Sequence, residues 1–266
     1  MIVDDLVPAA VAAMEAERLR ELQRLLLPTS LPPVGCTEVA AGYRSHNDAL
    51  RLGGDWYDLV DRPDDQVVAI IGDVVGHGLE QIGVMGQLRA ATNALGRSCA
   101  EPNEALTHLD GFARDFPGAS MASVIILMLD GTTTGRVAGA GHPPLLLVRG
   151  EGGIETIGEG MRPALGFGVD LVEPVRFTYA VDDLLVLFTD GLIERRGQSW
   201  DDRIERVGHL VREHFDASCA DIVRAVLDDA TADSEDDIAL MVMRPRNHRA
   251  PDHFMRRLDT PVVDAV

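Results

Sequence analysis

The chain has 266 residues, a net charge of −19, 46% hydrophobic residues and no lysine, its 24 basic residues all being arginine. That length holds one large domain or two small ones, and that apolar fraction builds a core rather than a disordered chain. Without lysine there is no P-loop, no protein-kinase strand lysine and no Schiff-base amine, and the acidity argues against a nucleic-acid footprint.

Cys36, Cys99 and Cys219 are far apart and form no Cys-x-x-Cys. They read as reduced thiols, small buried hydrophobes in a cytoplasmic protein. Four residues, not five, separate Cys219 from Arg224, so a cysteine-phosphatase loop is absent. No apolar run approaches the ~20 residues of a membrane span. Asp4 and Asp5 stand where a signal peptide carries positive charge.

Taken in order, residues 8–27 read as an amphipathic helix, with Val11, Met14, Leu19, Leu22, Leu25 and Leu26 at helical spacing. Pro28, Pro32 and Pro33 stop it. Such a helix either docks on its own domain or pairs with another copy or a regulatory module. Short strands follow at Glu38–Tyr43, Trp56–Val60 and Val67–Ile71, the last two joined by the turn residues Pro63-Asp64-Asp65. Leu79–Leu95 and Asn103–Phe116 read as helices, with Pro102 at the start of the second. A second strand series runs through Ser123–Leu129, Arg136–Ala140, Leu145–Val148, Glu155–Ile157, Val172–Tyr179 and Leu184–Thr189. Asp130 to Gly135 forms a hairpin loop within it. Helices Asp201–Phe215 and Cys219–Ala230 come next, with Ser218 and Asp221 as a capping box. Strand Ile238–Met243 closes the domain. The expected organisation is a helical linker over 1–36, one domain over 37–245 and a loose tail over 246–266. Strands joined by hairpins and interrupted by two helix pairs predict an α+β fold, two antiparallel sheets packed together with helices outside.

Four apolar strands carry carboxylates at their ends. Asp55 follows Gly53-Gly54, Asp73 ends the run from Val67, Asp190 ends the run from Leu184, and Asp236 and Asp237 open the run from Ile238. Such strands aim carboxylates at one point, and buried carboxylates need a partner or a cation. Oxygen-only ligation suits Mg²⁺ or Mn²⁺. Zinc calls for His or Cys at metal spacing, and none is present. Two ions sharing a water promote in-line phosphoester hydrolysis without a protein nucleophile.

The runs Gly53-Gly54-Asp55-Trp56-Tyr57-Asp58, Ile71-Gly72-Asp73-Val74-Val75-Gly76-His77-Gly78, Ala140-Gly141-His142-Pro143-Pro144, Phe188-Thr189-Asp190-Gly191-Leu192-Ile193-Glu194 and Asp236-Asp237-Ile238-Ala239-Leu240 resemble the bacterial PP2C-like (PPM) serine/threonine phosphatases of the SpoIIE/RsbU type, over roughly residues 17–244. The resemblance implies an α/β/β/α sandwich with two Mn²⁺ or Mg²⁺ ions between the sheets. By position, Asp73 resembles the bridging ligand, beside the Val74 carbonyl. Asp55 resembles a direct or water-mediated ligand, and Asp190 and Asp236 ligands of one ion; Asp237 ranks below Asp236 and Asp58 lies behind the ligands. It further implies a phosphoserine or phosphothreonine substrate on a STAS-type anti-sigma-factor antagonist in a partner-switching pathway. Residues 17–28 resemble the linker that couples a sensor or activator to the phosphatase, and a homodimer is compatible with it. His77 is placed either to protonate the leaving serine oxygen or to start a helix, and His142 reads as structural. Arg44, Arg51 and Arg195 are the arginines nearest the motifs for orienting a phosphate. Trp56 and Tyr57 read as core. Two rivals stand: a catalytically silent binding module of this fold, and a small-molecule phosphoesterase.

Overall fold

A computed structural model describes residues 14, 18, 21, 25–45, 53–76, 78–116, 118–158, 162–168, 173–230, 236–246 and 262–264. Most of the expected N-terminal helix, together with Arg51 and His77, lies outside them. Met14, Arg18, Glu21, Leu25 and Leu26 are helical.

Eleven strands are present among the described residues: β1 (Thr37–Arg44), β2 (Trp56–Asp61), β3 (Val67–Asp73), β4 (Ser123–Leu129), β5 (Thr134–Ala140), β6 (Leu145–Val148), β7 (Ile154–Ile157), β8 (Val175–Thr178), β9 (Leu184–Phe188), β10 (Ile238–Pro245) and β11 (Val262–Asp264). The helices are α1 (Leu79–Ser98), α2 (Pro102–Asp115), α3 (Trp200–Glu213) and α4 (Cys219–Ala230), with a 3₁₀ turn at Asp190–Leu192. One sheet runs β2-β3-β4-β5-β8 and the other β11-β1-β10-β9-β6-β7. All pairings are antiparallel except β11, which adds to β1 in parallel. Val262–Asp264 therefore departs from the loose tail expected after residue 246. Three residues with no flanking apolar periodicity carry no strand signal of their own; their pairing depends on the edge that β1 offers.

Both faces of the central strands are covered, which explains their continuous apolar runs. On β10, Ala239, Met241 and Met243 face the layer between the sheets, while Ile238, Leu240 and Val242 face α3 and α4. On β3, Val67, Ala69 and Ile71 face between the sheets, and Val68 and Ile70 face α1 and α2. The order is thus α/β/β/α, as the sequence predicts. The β2–β3 turn places Asp64 and Asp65 at φ 62° and 57°, the left-handed conformation that a tight hairpin requires. Helix α4 opens with the predicted box: the Ser218 hydroxyl donates to Asp221 Oδ2 at 2.6 Å and accepts from the Asp221 N–H at 3.2 Å.

The N-terminal segment ends against this sandwich. Leu27 is buried in the α1–α2 layer with Leu26 packed beside it, and Arg89 of α1 donates to the Leu26 carbonyl at 2.7 Å. Leu25 is exposed. Docking on its own domain is therefore seen at the end of the segment.

Candidate metal centre

The carboxylate-bearing strand ends lie at one edge of the sandwich. The start of β2 pairs with the end of β3, since Trp56 opposes Gly72. The start of β10 pairs with the end of β9, since Leu240 opposes Phe188. The two sheets meet there through polar contacts. Thr189, just after β9, donates its hydroxyl to Asp55 Oδ2 at 2.8 Å and accepts from the Ala239 N–H at 2.9 Å. The Val74 N–H donates to the Gly54 carbonyl at 3.3 Å. Tyr43 of β1 donates its hydroxyl to Asp237 Oδ2, and the Asp237 N–H donates to Asp236 Oδ1 at 2.8 Å.

The two glycines before Asp55 exist for close approach. A Cβ at Gly53 would overlap the Asp237 carboxylate, and one at Gly54 the Val74 carbonyl. Backbone and carboxylates thus pack where any larger residue would push them apart.

Electrostatics identify these acids as one cluster. Burial, then the charges of Asp73, Asp237 and Asp190, pushes the Asp55 carboxyl well above its ordinary range. Burial lifts Asp73 to about 6, with a hydrogen bond from Asp55 lowering it and the charges of Asp236 and Asp237 raising it. Burial, then Asp73, Asp236 and Glu194, lifts Asp190 to about 7. The leading charges on Asp55 and Asp190 among the described residues are carboxylates. Such a cluster is costly when ionised and becomes favourable when a cation sits among its oxygens. Among the described residues the donors are all oxygens, the donor set of Mg²⁺ or Mn²⁺. The residues present therefore fit a divalent-metal site.

Of the acids read from the sequence, Asp55, Asp73, Asp190, Asp236 and Asp237 come together at this edge, and the Val74 backbone joins them. Asp58 lies behind: it is buried, accepts from the Leu59 N–H at 2.9 Å and forms an ion pair with Arg89 Nε at 3.1 Å. Trp56 and Tyr57 are fully buried in the core. Arg195 is turned back on its own loop, donating from Nη1 to the carbonyls of Gly191 and Glu194. Arg44 pairs with Asp228 at 3.3 Å. His142 holds the Pro143 carbonyl through Nδ1 at 3.1 Å, and burial of its ring drives its pKa down to about 4. It is a neutral, structural histidine. Thr189 and Tyr43 are the residues that sequence reading passed over, because each acts through an acid far away in the chain.

Comparison with known proteins agrees with this architecture. The family model described as Stage II sporulation protein E (SpoIIE) matches residues 63–246. The phosphoserine phosphatase RsbU of Bacillus subtilis (strain 168) is 24% identical over 238 residues, 86% of this chain and 70% of that protein. The solved RsbU and RsbW domains of Rv1364c from Mycobacterium tuberculosis align with a TM-score of 0.73 and 31% identity, over 83% of this chain and 63% of that one. This chain thus spans less than two thirds of that two-domain structure. The catalytic domain of the serine/threonine protein phosphatase PstP, solved with 2 manganese ions, shares the fold at a TM-score of 0.55 and 13% identity, over 79% of this chain and 100% of that one. Its motifs, its two sheets and these alignments together make this chain a member of the SpoIIE family, carrying that family's PP2C-type phosphatase domain.

Proposed function

We propose that the chain is a metal-dependent protein phosphatase that hydrolyses phosphoserine or phosphothreonine on an anti-sigma-factor antagonist in a partner-switching pathway. The observation that carries this reading is the convergence of five aspartates from four strand ends at the joined edge of two sheets. Asp55, Asp73, Asp190, Asp236 and Asp237, with the Val74 carbonyl, would hold two Mn²⁺ or Mg²⁺ ions. Bound there, the ions supply an acidified water for attack on phosphorus and charge to stabilise the transition state.

The chain's own residues prepare that site. Thr189 fixes the orientation of Asp55, and Tyr43 that of Asp237. The bond from the Asp237 N–H holds Asp236. The carboxyls raised by this crowding, Asp55 most of all, would be ionised by a bound cation, as ligand carboxylates must be. The partner-switching assignment is supported by the likeness to RsbU and to a chain joining RsbU and RsbW domains.

The test is phosphate release from a phosphorylated antagonist protein, with and without Mn²⁺, for the unsubstituted chain and Asp73→Asn. Release that needs Mn²⁺ and falls by at least about a thousandfold in the variant is expected, since this carboxylate is assigned to the reacting centre. Unchanged release in Asp73→Asn rejects the site. High turnover on small phosphoesters with no preference for the phosphoprotein rejects the substrate class.

A further inference from the structure

Helix α1 ends at Ser98 with Cys99 as its extended cap, the Cys99 N–H bonded to the Leu95 carbonyl at 2.8 Å. Helix α2 begins at Pro102, so the connection is only three residues long and folds the first turns of α2 against the end of α1. Arg62 donates to the Cys99 carbonyl at 2.8 Å and locks this corner. Glu104 and His108 are four apart on α2 and share one face. The consequence is a cluster of three ligating side chains: the Cys99 sulfur, a Glu104 oxygen and a His108 ring nitrogen all lie within 4.8 Å of one another.

We propose that Cys99, Glu104 and His108 form a zinc site, separate from the aspartate centre. Zinc takes thiolate, imidazole and carboxylate together, whereas Mg²⁺ and Ca²⁺ do not take sulfur. Tetrahedral zinc with bonds of about 2.0–2.3 Å puts its ligand atoms roughly 3.5 Å apart. Cys99 is buried and fixed, while Glu104 and His108 are exposed, so the two surface side chains close the remaining ångström or so by rotation. One Glu104 oxygen accepts from the Ala100 N–H at 3.0 Å, which orients the carboxylate and leaves its other oxygen for the metal.

The two exposed members of the cluster also border open space. Glu104 and His108 line a cleft of about 530 Å³ together with Asn103, Thr107, Pro174 and Arg176. Asn103 is buried, and its Oδ1 has no hydrogen-bond partner among the described residues. Three protein ligands would leave the fourth position of zinc open, and two of the three, Glu104 and His108, line the cleft. The site would clamp the α1–α2 corner and admit a water or a donor from a bound molecule.

The sequence reading named no cysteine or histidine at metal spacing. The spacing Cys-x4-Glu-x3-His carries no loop signature, and only the corner between two helices brings its ends together.

The experiment uses the full chain, stripped of metal by chelator and carrying Asp73→Asn so that the aspartate centre competes weakly. Cobalt(II) is titrated as a spectroscopic stand-in for zinc. The expected result is a near-ultraviolet thiolate-to-cobalt charge-transfer band that Zn²⁺ displaces. Cys99→Ser should abolish the band. His108→Gln, at an exposed position that leaves folding intact, should weaken Kd at least about tenfold, because even the outer partners of a metal ligand cost that much. Absence of the band in the parent, its survival in Cys99→Ser, or an unchanged Kd in His108→Gln would overturn the site.

Discussion

Thr189 shows how much one buried hydroxyl can organise. It has no solvent exposure, and it serves Asp55 in one sheet and the Ala239 N–H in the other. Thr189→Val keeps the shape but leaves both partners unmatched. Unfolding in urea should show a loss of about 1–3 kcal/mol, the usual cost of stranding buried polar groups. Turnover should fall with it, because Asp55 loses its orientation; full activity in that variant would contradict this role for the hydroxyl. Gly53→Ala makes a different point. Its methyl overlaps the Asp237 carboxylate, so Mn²⁺ affinity measured by calorimetry should fall by at least about tenfold. The aspartates themselves were legible in the sequence, since an apolar strand that runs out in Asp states both its direction and its chemistry. Thr189 was not legible, because its partner Asp55 is 134 positions away and nothing local marks the pairing. Arg195 follows Asp190 closely, and its Nη1 holds the turn that carries that acid.

Among the elements, helix α2 does more than cover a sheet. Its Asp110 accepts from the N–H groups of Gly166 at 2.9 Å and Gly168 at 3.1 Å, and pairs with Arg114 at 3.4 Å. The segment 162–168 is thereby held against β5 and the 119–122 turn, where the Gly141 N–H meets the Arg162 carbonyl and the Met121 N–H the Leu165 carbonyl. Asp110→Ala should cost about 1.5–3 kcal/mol, the range for hydrogen bonds to a charged group. It should also speed limited proteolysis within 162–168; an unchanged cleavage rate would show that other contacts hold the segment. Hairpin strands and the helix pairs were readable to within a few residues, because period and turn chemistry are local. Of the strand expected over Val172–Tyr179, Val172 lies outside the described residues and Val175–Thr178 is strand, the four residues that find partners on β5. Strand β11 was invisible for the same reason: it is defined by its neighbour.

For the molecule as a whole, the aspartate centre couples stability to pH. Asp73 and Asp190 are raised from an ordinary 3.8 to about 6 and about 7. A carboxyl raised in the folded state supports the fold below its unfolded pKa and loses that support as pH rises through its folded pKa. The metal-free protein should therefore lose this support between roughly pH 4 and 7. Protons and cations compete for the same oxygens, so added Mn²⁺ should raise Tm more at pH 8 than at pH 6. An equal increment at both values would contradict the ligand set. The pairing of β1 with β10, along all eight residues from Thr37 to Arg44, has a further consequence. The first strand and the last but one are neighbours, and two of the five acids arrive only with β10. A ribosome must therefore release nearly the whole domain before the six-stranded sheet or the centre can close. A message broken off after Ala230 yields a chain with an open seam between β1 and β9 and without Asp236 and Asp237.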